Sequence, residues 1–339
     1  MKQLNIGING FGRIGRTLVR LLQDHPNLNV VAINDLANVQ TMAHLLKYDS
    51  IHGVFQSTIS HTEKSITIGA KNPIAFLNES HPEKIPWGDY DVDIVVEATG
   101  KFKTRESLDC HMQNGAKKVI LCVPPDDDSI KMIVIGVNDH LLSEDDDIIS
   151  NASCTTNNAA PMLKVINDLC GIEQAYITTV HSYTTDQSLH DQPHRDLRRS
   201  RAAGQSIVPT TTGAAKALTK IFPDLDGLIG GCGIRVPVPN NSLTDITLNV
   251  KKETSIAAIN QAFKEVSENS LKNIIFYTED PIVSIDVNNT CYSCTFDSLM
   301  TSVIGKMVKI IGWYDNETGY SSRIIDLIHL IQTKSYLDT

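Results

Sequence analysis

The chain has 339 residues, 41% hydrophobic and 20% charged, enough for two domains with cores of their own. A net charge of −9 argues against a dedicated nucleic-acid partner, and no apolar run approaches the roughly 18 residues of a membrane span. Seven cysteines, an odd number without disulfide-scaffold spacing, fit a reducing, cytoplasmic setting, and the first residues enter a strand pattern with no signal or transit peptide.

Leu4 to Ile8 reads as a strand. Gly10-Phe11-Gly12-Arg13-Ile14-Gly15 follows at once, then a helical pattern with Ile14, Leu18, Leu21 and Leu22 on one face. A second strand, Val30 to Ile33, ends at Asn34-Asp35, 20 positions past Gly15. A glycine turn between strand and helix, with an acid at that distance, is a dinucleotide-binding pattern. Glycines let the backbone approach a pyrophosphate, the helix N-terminus offers unpaired N–H groups, and Asp35 can accept from a ribose diol. A helix is expected near Val39 to Leu46. Short hairpin strands are expected between Phe55 and Ile74, a buried strand over Asp93 to Gly100 that ends in a small polar turn, and a helix over Glu106 to Asn114. Further strands are expected at Lys118 to Val123 and Ile133 to Val137. Alternating strands and helices predict an α/β Rossmann domain with a parallel sheet over the first 150 residues or so.

Ser150-Asn151-Ala152-Ser153-Cys154-Thr155-Thr156-Asn157 places a cysteine among small polar residues. A lone cysteine is more often an inert buried residue, but these flanks do not make an apolar core. Thr179-Val180-His181-Ser182-Tyr183-Thr184 carries a histidine on a β-rich run. An imidazole within reach would activate the thiol. The helix after the cysteine starts either at Cys154 or near Ala160, because Pro161 interrupts it. From His181 to Arg201 acids, histidines and arginines crowd one loop, a mutually neutralised surface, an anion site or a subunit contact. Ser206 to Gly213 puts three threonines and a glycine before a helix beginning Ala214-Ala215-Lys216, a candidate phosphate cradle. Gly230 to Pro239 is a glycine-rich strand whose Arg235, among apolar neighbours, needs an anion. Strands at Leu243 to Val250, Ile282 to Val287 and Met307 to Tyr314, with a helix over Ile256 to Ser267, predict an α+β domain with a mixed or antiparallel sheet. A last helix carries Tyr320, Ile324, Leu327, Ile328 and Ile331 on one stripe. Cys291-x-x-Cys294 lacks a second pair to complete a zinc site, and no metal is expected.

Taken together, these motifs resemble the phosphorylating, NAD-dependent glyceraldehyde-3-phosphate dehydrogenase family, nearly end to end. Ala152-Ser153-Cys154-Thr155-Thr156-Asn157 is similar to its active-site signature, and the match continues to Trp313-Tyr314-Asp315-Asn316-Glu317. The resemblance implies an NAD-binding domain over residues 1–151, completed by a C-terminal helix at 318–339, with a catalytic domain over 152–317 between them. It implies Cys154 as nucleophile and His181 as its activator and acid–base partner. Asn9, Phe11, Gly12, Arg13, Ile14, Asp35, Thr99, Asn316 and Tyr320 would contact NAD. Thr184 and Arg235 would hold the substrate's C3 phosphate; Ser153, Thr155, Thr212 and Gly213, with Arg199 close by, would hold inorganic phosphate. A homotetramer is implied too, with the arginine-bearing loop near a neighbouring subunit's cofactor. Leu36 and Pro193 resemble the NAD-using members. Three positions depart from the common pattern: Asn158 where many members have a second cysteine, Cys122 in place of a serine, and Val54 in place of an arginine.

The implied reaction is oxidative phosphorylation of an aldehyde through a thiohemiacetal and a thioester on Cys154. Two alternatives stand beside it. One is erythrose-4-phosphate dehydrogenase, from which Thr210-Thr211-Thr212-Gly213-Ala214-Ala215-Lys216 differs. The other is a non-catalytic NAD-binding protein that uses Cys154 as an oxidation sensor.

Overall fold

A computed structural model describes residues 3–333 and divides them into two compact units, each built on its own sheet. The first unit takes the chain up to Ile133, Leu141–Ala152 and the helix from Ser321 onward; the second takes Val134–His140 and Ser153–Tyr320. Among the described residues, no helix is long and apolar enough to cross a membrane.

In the first unit the strands run, edge to edge, Lys131–Met132, Ile148–Ser150, Lys118–Leu121, Ile94–Glu97, Leu4–Asn9, Leu28–Asn34 and Ile74–Leu77, all parallel. Ser65–Ile68 and Ile59–His61 extend that edge as an antiparallel hairpin. Ile94–Glu97 and Lys118–Leu121 are buried at every residue, as strands covered on both faces must be. Three helices, Arg13–Leu21, Val39–Lys47 and Arg105–Gln113, follow strands. Asn38 caps the second through the Thr41 amide at 2.8 Å, and Thr104 with Ser107 forms a capping box on the third. Trp87, Val95, Leu108, Val119 and Leu121 share one buried core.

The α/β reading holds, with local corrections. On the first helix the buried face includes Arg16, whose Nη1 donates to Phe11 O at 2.8 Å; the apolar stripe alone did not define it. The expected strand Ile133–Val137 is a turn. Gly136 adopts φ +81°, and Asn138 Oδ1 accepts from the Val134 amide at 2.7 Å. The sheet instead takes Ile148–Ser150, an unexpected strand placed just before the cysteine run. The last helix, Thr318–Thr333, buries Tyr320, Ile324, Leu327, Ile328 and Ile331 as expected; its expected extension over 334–339 lies outside the described residues.

The second unit is a mixed sheet in the order Val208–Thr210, Ile229–Val236, Ile172–Ser182, Ser242–Val250, Met307–Tyr314, Cys294–Asp297, Ile275–Thr278, with Ser302–Ile304 also on Met307–Tyr314. The helix Cys154–Cys170 packs on its centre, beside the helices Ala214–Ile221 and Ile256–Glu268. Ser242–Val250 alternates buried and half-buried along its length, the period-two pattern of a strand with one covered face. The expected strand Ile282–Val287 is a loop ending in a 3-10 turn, Ser284–Val287, with Val283 and Ile285 exposed. Cys294 starts a strand and is buried, while Cys291 lies exposed before it.

Candidate active site

The nucleophile candidate stands at the head of a helix. Ala152 takes φ +53°, a left-handed conformation that costs an L-residue roughly 1–2 kcal/mol. Ser153 follows as N-cap, its Oγ accepting from the Thr156 amide at 3.1 Å. The helix therefore begins at Cys154, and it passes through Pro161 before ending at Gly171, φ +69°. The half-buried Cys154 sits where helix N–H groups and dipole favour a thiolate.

The strand Ile172–Ser182 brings His181 to that helix end. Its Nε2 lies 3.4 Å from Cys154 Sγ. On the next strand Arg235 is the register partner of His181, and Arg235 Nη1 lies 2.7 Å from His181 Nδ1. The same guanidinium nitrogen donates to Ser182 O at 3.0 Å, and that carbonyl is 2.8 Å from Nδ1. Burial pushes the Cys154 thiol up, while Arg235 and the Thr155 amide pull it back. Burial, then Arg235, depresses His181 to about 3. The resting pair is thus a thiol and a neutral imidazole, and the ring can take the sulfur's proton only as the tautomer with its hydrogen on Nδ1 and a bare Nε2.

Arg199 approaches the same group: after burial and Arg235, its charge also disfavours imidazolium at His181. Its Nε donates to Thr210 Oγ1 at 3.0 Å and its Nη1 to Asp186. Asp196 Oδ2 accepts from that threonine at 3.0 Å. Thr212 Oγ1 accepts from the Ala214 amide at 3.2 Å, and Gly213 caps the short helix Ala214–Ile221. Thr184 lies half-buried just beyond the histidine strand. Thr155 is buried, its hydroxyl 2.9 Å from Tyr314 OH, which is 3.0 Å from Thr179 Oγ1. Asn316 Oδ1 accepts from Ser182 Oγ at 2.9 Å and Ser242 Oγ at 3.0 Å. Those two donors fix the amide's orientation and turn its Nδ2 into the donor end. Tyr320 is buried.

In the first unit Gly10 (φ +95°) makes the turn after Leu4–Asn9; a Cβ there would meet Thr99 N at 2.8 Å. Gly12 opens the helix Arg13–Leu21, and a Cβ on it would meet nothing within 4 Å. That open, exposed turn before a helix N-terminus fits a pyrophosphate. Asp35 Oδ2 accepts from the Phe11 amide at 2.7 Å and Oδ1 from the Ala37 amide at 2.9 Å, which fixes the carboxylate at the end of the second strand. Phe11 is fully buried and Ile14 half-buried. Arg13 makes two bonds to Asp49, 2.6 and 3.1 Å. Burial would raise Asp49, but the His52 amide and Arg13 hold it at about 2.

Sequence comparison agrees with this geometry. Residues 4–105 match the family profile described as "Glyceraldehyde 3-phosphate dehydrogenase, NAD binding domain", and 153–316 match the corresponding C-terminal domain. Glyceraldehyde-3-phosphate dehydrogenase of Geobacillus stearothermophilus is 48% identical over 98% of this chain and 99% of its own. The chain belongs to the glyceraldehyde-3-phosphate dehydrogenase family. The relatives of the same name from Streptomyces coelicolor and Thermotoga maritima are 50% and 49% identical, each over 96% of this chain and 97% and 98% of their own.

Within that family frame, Asn158 is a structural residue here: its Nδ2 donates to Ser293 O at 3.1 Å and Trp313 O at 3.4 Å. Cys122 is buried and Val54 exposed on a two-residue strand; nothing in the structure explains the Val54 change. Sequence reasoning did not single out Tyr314, Ser182, Ser242 or Asp49. The first three hold site residues by hydroxyl groups, and a hydroxyl on a strand gives no signal until its cross-strand neighbour is known.

Proposed function

We propose that the chain catalyses NAD-dependent oxidative phosphorylation of D-glyceraldehyde 3-phosphate to 1,3-bisphosphoglycerate. The observation that carries the reading is the 3.4 Å approach of Cys154 Sγ to His181 Nε2 at a helix N-terminus, beside Arg235. Cys154 Sγ attacks the aldehyde carbon, and His181 passes the thiol proton to the aldehyde oxygen, giving a thiohemiacetal. The Cys154 and Thr155 amides lie at the positive end of the helix, where they can stabilise the developing oxyanion. His181 Nε2 then takes the hydroxyl proton while the carbon loses hydride, and a thioester remains on the sulfur. NAD, when bound, accepts that hydride. Inorganic phosphate attacks the thioester carbon and the C–S bond breaks. The sulfur recovers a proton and the acyl phosphate leaves.

Arg235 and Thr184 are assigned to the substrate's C3 phosphate. Arg199, Ser153, Thr155, Thr212 and Gly213 are assigned to inorganic phosphate. Asn9, Phe11, Gly12, Arg13, Ile14, Asp35 and Thr99 are assigned to the dinucleotide. The fixed amide of Asn316 would donate through Nδ2 to the nicotinamide carboxamide oxygen, with Tyr320 beside the ring. Residues 1–151 with the terminal helix would serve NAD, and 152–317 the aldehyde. A cytoplasmic homotetramer completes the proposal. All seven cysteines are unbridged, and the second unit exposes Tyr176, Ile304 and Met307 on its sheet and Leu228 in the turn before Ile229–Val236, apolar surface suited to a second copy. Light scattering on the purified chain tests the assembly.

The activity is tested by NADH formation from glyceraldehyde 3-phosphate, with and without inorganic phosphate and with erythrose 4-phosphate in parallel. Cys154→Ser should abolish turnover while NAD still binds. A dehydrogenase rate retained in that variant would rule out the covalent route.

A further inference from the structure

Glu97 is a fully buried carboxylate that the reaction above does not use. It ends the strand Ile94–Glu97, and four donors converge on it. Oε1 accepts from the Thr99 amide at 2.8 Å and from Thr99 Oγ1 at 2.5 Å. Oε2 accepts from Asn9 Nδ2 at 2.5 Å and faces His111 Nε2 at 3.1 Å. The tautomer of that histidine follows from its other neighbour. Trp87 Nε1 lies 2.9 Å from His111 Nδ1, and an indole nitrogen can only donate. Nδ1 therefore carries the lone pair and Nε2 the hydrogen, which points at Glu97. His111 is itself fully buried, as is Trp87.

The row continues sideways. Asn9 is the register partner of both Glu97 and Asn34. Asn34 Nδ2 donates to Asn9 Oδ1 at 2.8 Å, and Asn34 Oδ1 accepts from the Glu79 amide at 2.8 Å. Asn34, Asn9 and Glu97 thus form one rung across the carboxyl ends of three adjacent parallel strands, the place where such a sheet binds its ligand. With both ends of its amide engaged, Asn9 is held in one orientation. With both its amide and hydroxyl on Oε1, the Thr99 turn is pinned against the Gly10 loop.

We propose that Glu97 is a positioning residue for the dinucleotide, acting through Asn9 and Thr99, and that the His111–Trp87 pair locks it in place. This rests on the assignment of Asn9 and Thr99 to NAD. A buried carboxylate with four donors is satisfied and rigid. A carboxamide of the same shape has one acceptor oxygen and must turn an NH2 group toward groups that also donate.

The test is NAD binding by calorimetry on the whole chain without substrate, with kcat measured separately at saturating NAD. Glu97→Gln should weaken NAD about 10-fold or more, the scale of one orphaned buried group, with kcat little changed. Asn9→Ala should also weaken it, and the double variant should be no worse than the more damaging single. An unchanged NAD affinity in Glu97→Gln, with only a lower melting temperature, overturns the inference, as does full additivity with Asn9→Ala. If Asn9→Ala alone leaves NAD affinity unchanged, the cofactor assignment of Asn9 fails instead, and the same cycle with Thr99→Ala decides for Glu97. Should Glu97→Gln not fold, His111→Leu carries the test. It should weaken NAD, and His111→Gln, which restores a donor to Glu97, should recover the affinity. Equal NAD affinities in the Leu and Gln variants overturn the inference.

Discussion

Arg235 and His181 share one rung of a parallel strand pair, and the guanidinium nitrogen sits 2.7 Å from imidazole Nδ1. The imidazole must also answer Ser182 O, 2.8 Å from the same nitrogen. A carbonyl wants Nδ1–H; a guanidinium wants a bare Nδ1. Only the first leaves Nε2 free to accept the proton of Cys154. An anion that draws Arg235 away would favour the base-competent tautomer, which would link the substrate's phosphate to activation of the thiol.

The same pair makes stability depend on pH. Burial and Arg235 hold His181 at about 3, while an unfolded histidine titrates near ~6.5. Between those values the unfolded chain binds a proton that the folded chain does not, so stability falls as pH drops through the window. At pH ~5 the loss from this group is about 2 kcal/mol. His181→Gln removes it. The drop in urea midpoint between neutral and mildly acid buffer should be smaller in the variant than in the parent. Equal drops would show that His181 does not titrate in this way.

If Arg199 holds inorganic phosphate as proposed, Asp186 would compete for that arginine. It is hydrogen-bonded to the guanidinium Nη1, and half of its side chain is open to solvent (46%). Its charge would repel a phosphate dianion arriving at Arg199. Two unit charges 4 Å apart interact by about 1 kcal/mol even in bulk water. Asp186→Asn should therefore lower the KM for inorganic phosphate about 5-fold and leave the KM for the aldehyde nearly unchanged. Steady-state rates across a phosphate series check this; a higher KM would mean that the acid orients Arg199 for its ligand.

How much of this was legible in the sequence depends on the range of the interaction. The glycine turn, the strand ending at Asp35 and the helix after the cysteine run were readable because their structure is local: a strand runs into a turn, a turn into a helix. The tie of His181 to Arg235 spans 54 positions and rests on strand register, which periodicity does not encode. Ile133 to Val137 read as a strand because β-branched residues dominate it, yet Gly136 and the Asn138 side chain turn the chain there. Ile148–Ser150 went unseen for the opposite reason. Three buried residues after an acidic loop are too few to show a period, and only pairing with Lys118–Leu121 and Lys131–Met132 makes them a strand. The choice of helix start, Cys154 or Ala160, turned on Ser153, whose cap is visible only once the Thr156 amide points at it.

Tyr314 ties the cysteine helix to the histidine strand. Its hydroxyl lies between Thr155 and Thr179, at 2.9 and 3.0 Å, and its ring meets His181 edge-on with centroids 6.0 Å apart. Burial pushes the phenol well above its usual range, so it stays protonated. Tyr314→Phe keeps the ring and removes the phenol's bonds to two threonine hydroxyls, of which Thr179 keeps a longer one to Leu243 O at 3.4 Å, at a cost of about 1–3 kcal/mol. The expected result is a lower melting temperature with a modest fall in kcat, because the ring edge still supports the imidazole. A loss of activity as complete as that of a Cys154 variant would make the hydroxyl itself part of the chemistry.

Ala152 tests how far the turn before the nucleophile is strained. A left-handed conformation at an alanine costs roughly 1–2 kcal/mol, and glycine adopts it freely. The residue is also fully buried, and its amide donates to Ser150 Oγ at 3.0 Å, which either replacement can keep. Ala152→Gly should be neutral or gain up to ~1 kcal/mol, with the rate of alkylation at Cys154 unchanged. Ala152→Val adds a branched side chain to a buried left-handed position. Overpacking alone costs about 1–3 kcal/mol, and relief of the backbone strain would swing the next residues, Ser153 and then Cys154, off the helix head. Urea unfolding should show the stability loss, and iodoacetamide kinetics should show a slower thiol, because a sulfur moved away from the helix N-terminus and from His181 loses both sources of its activation.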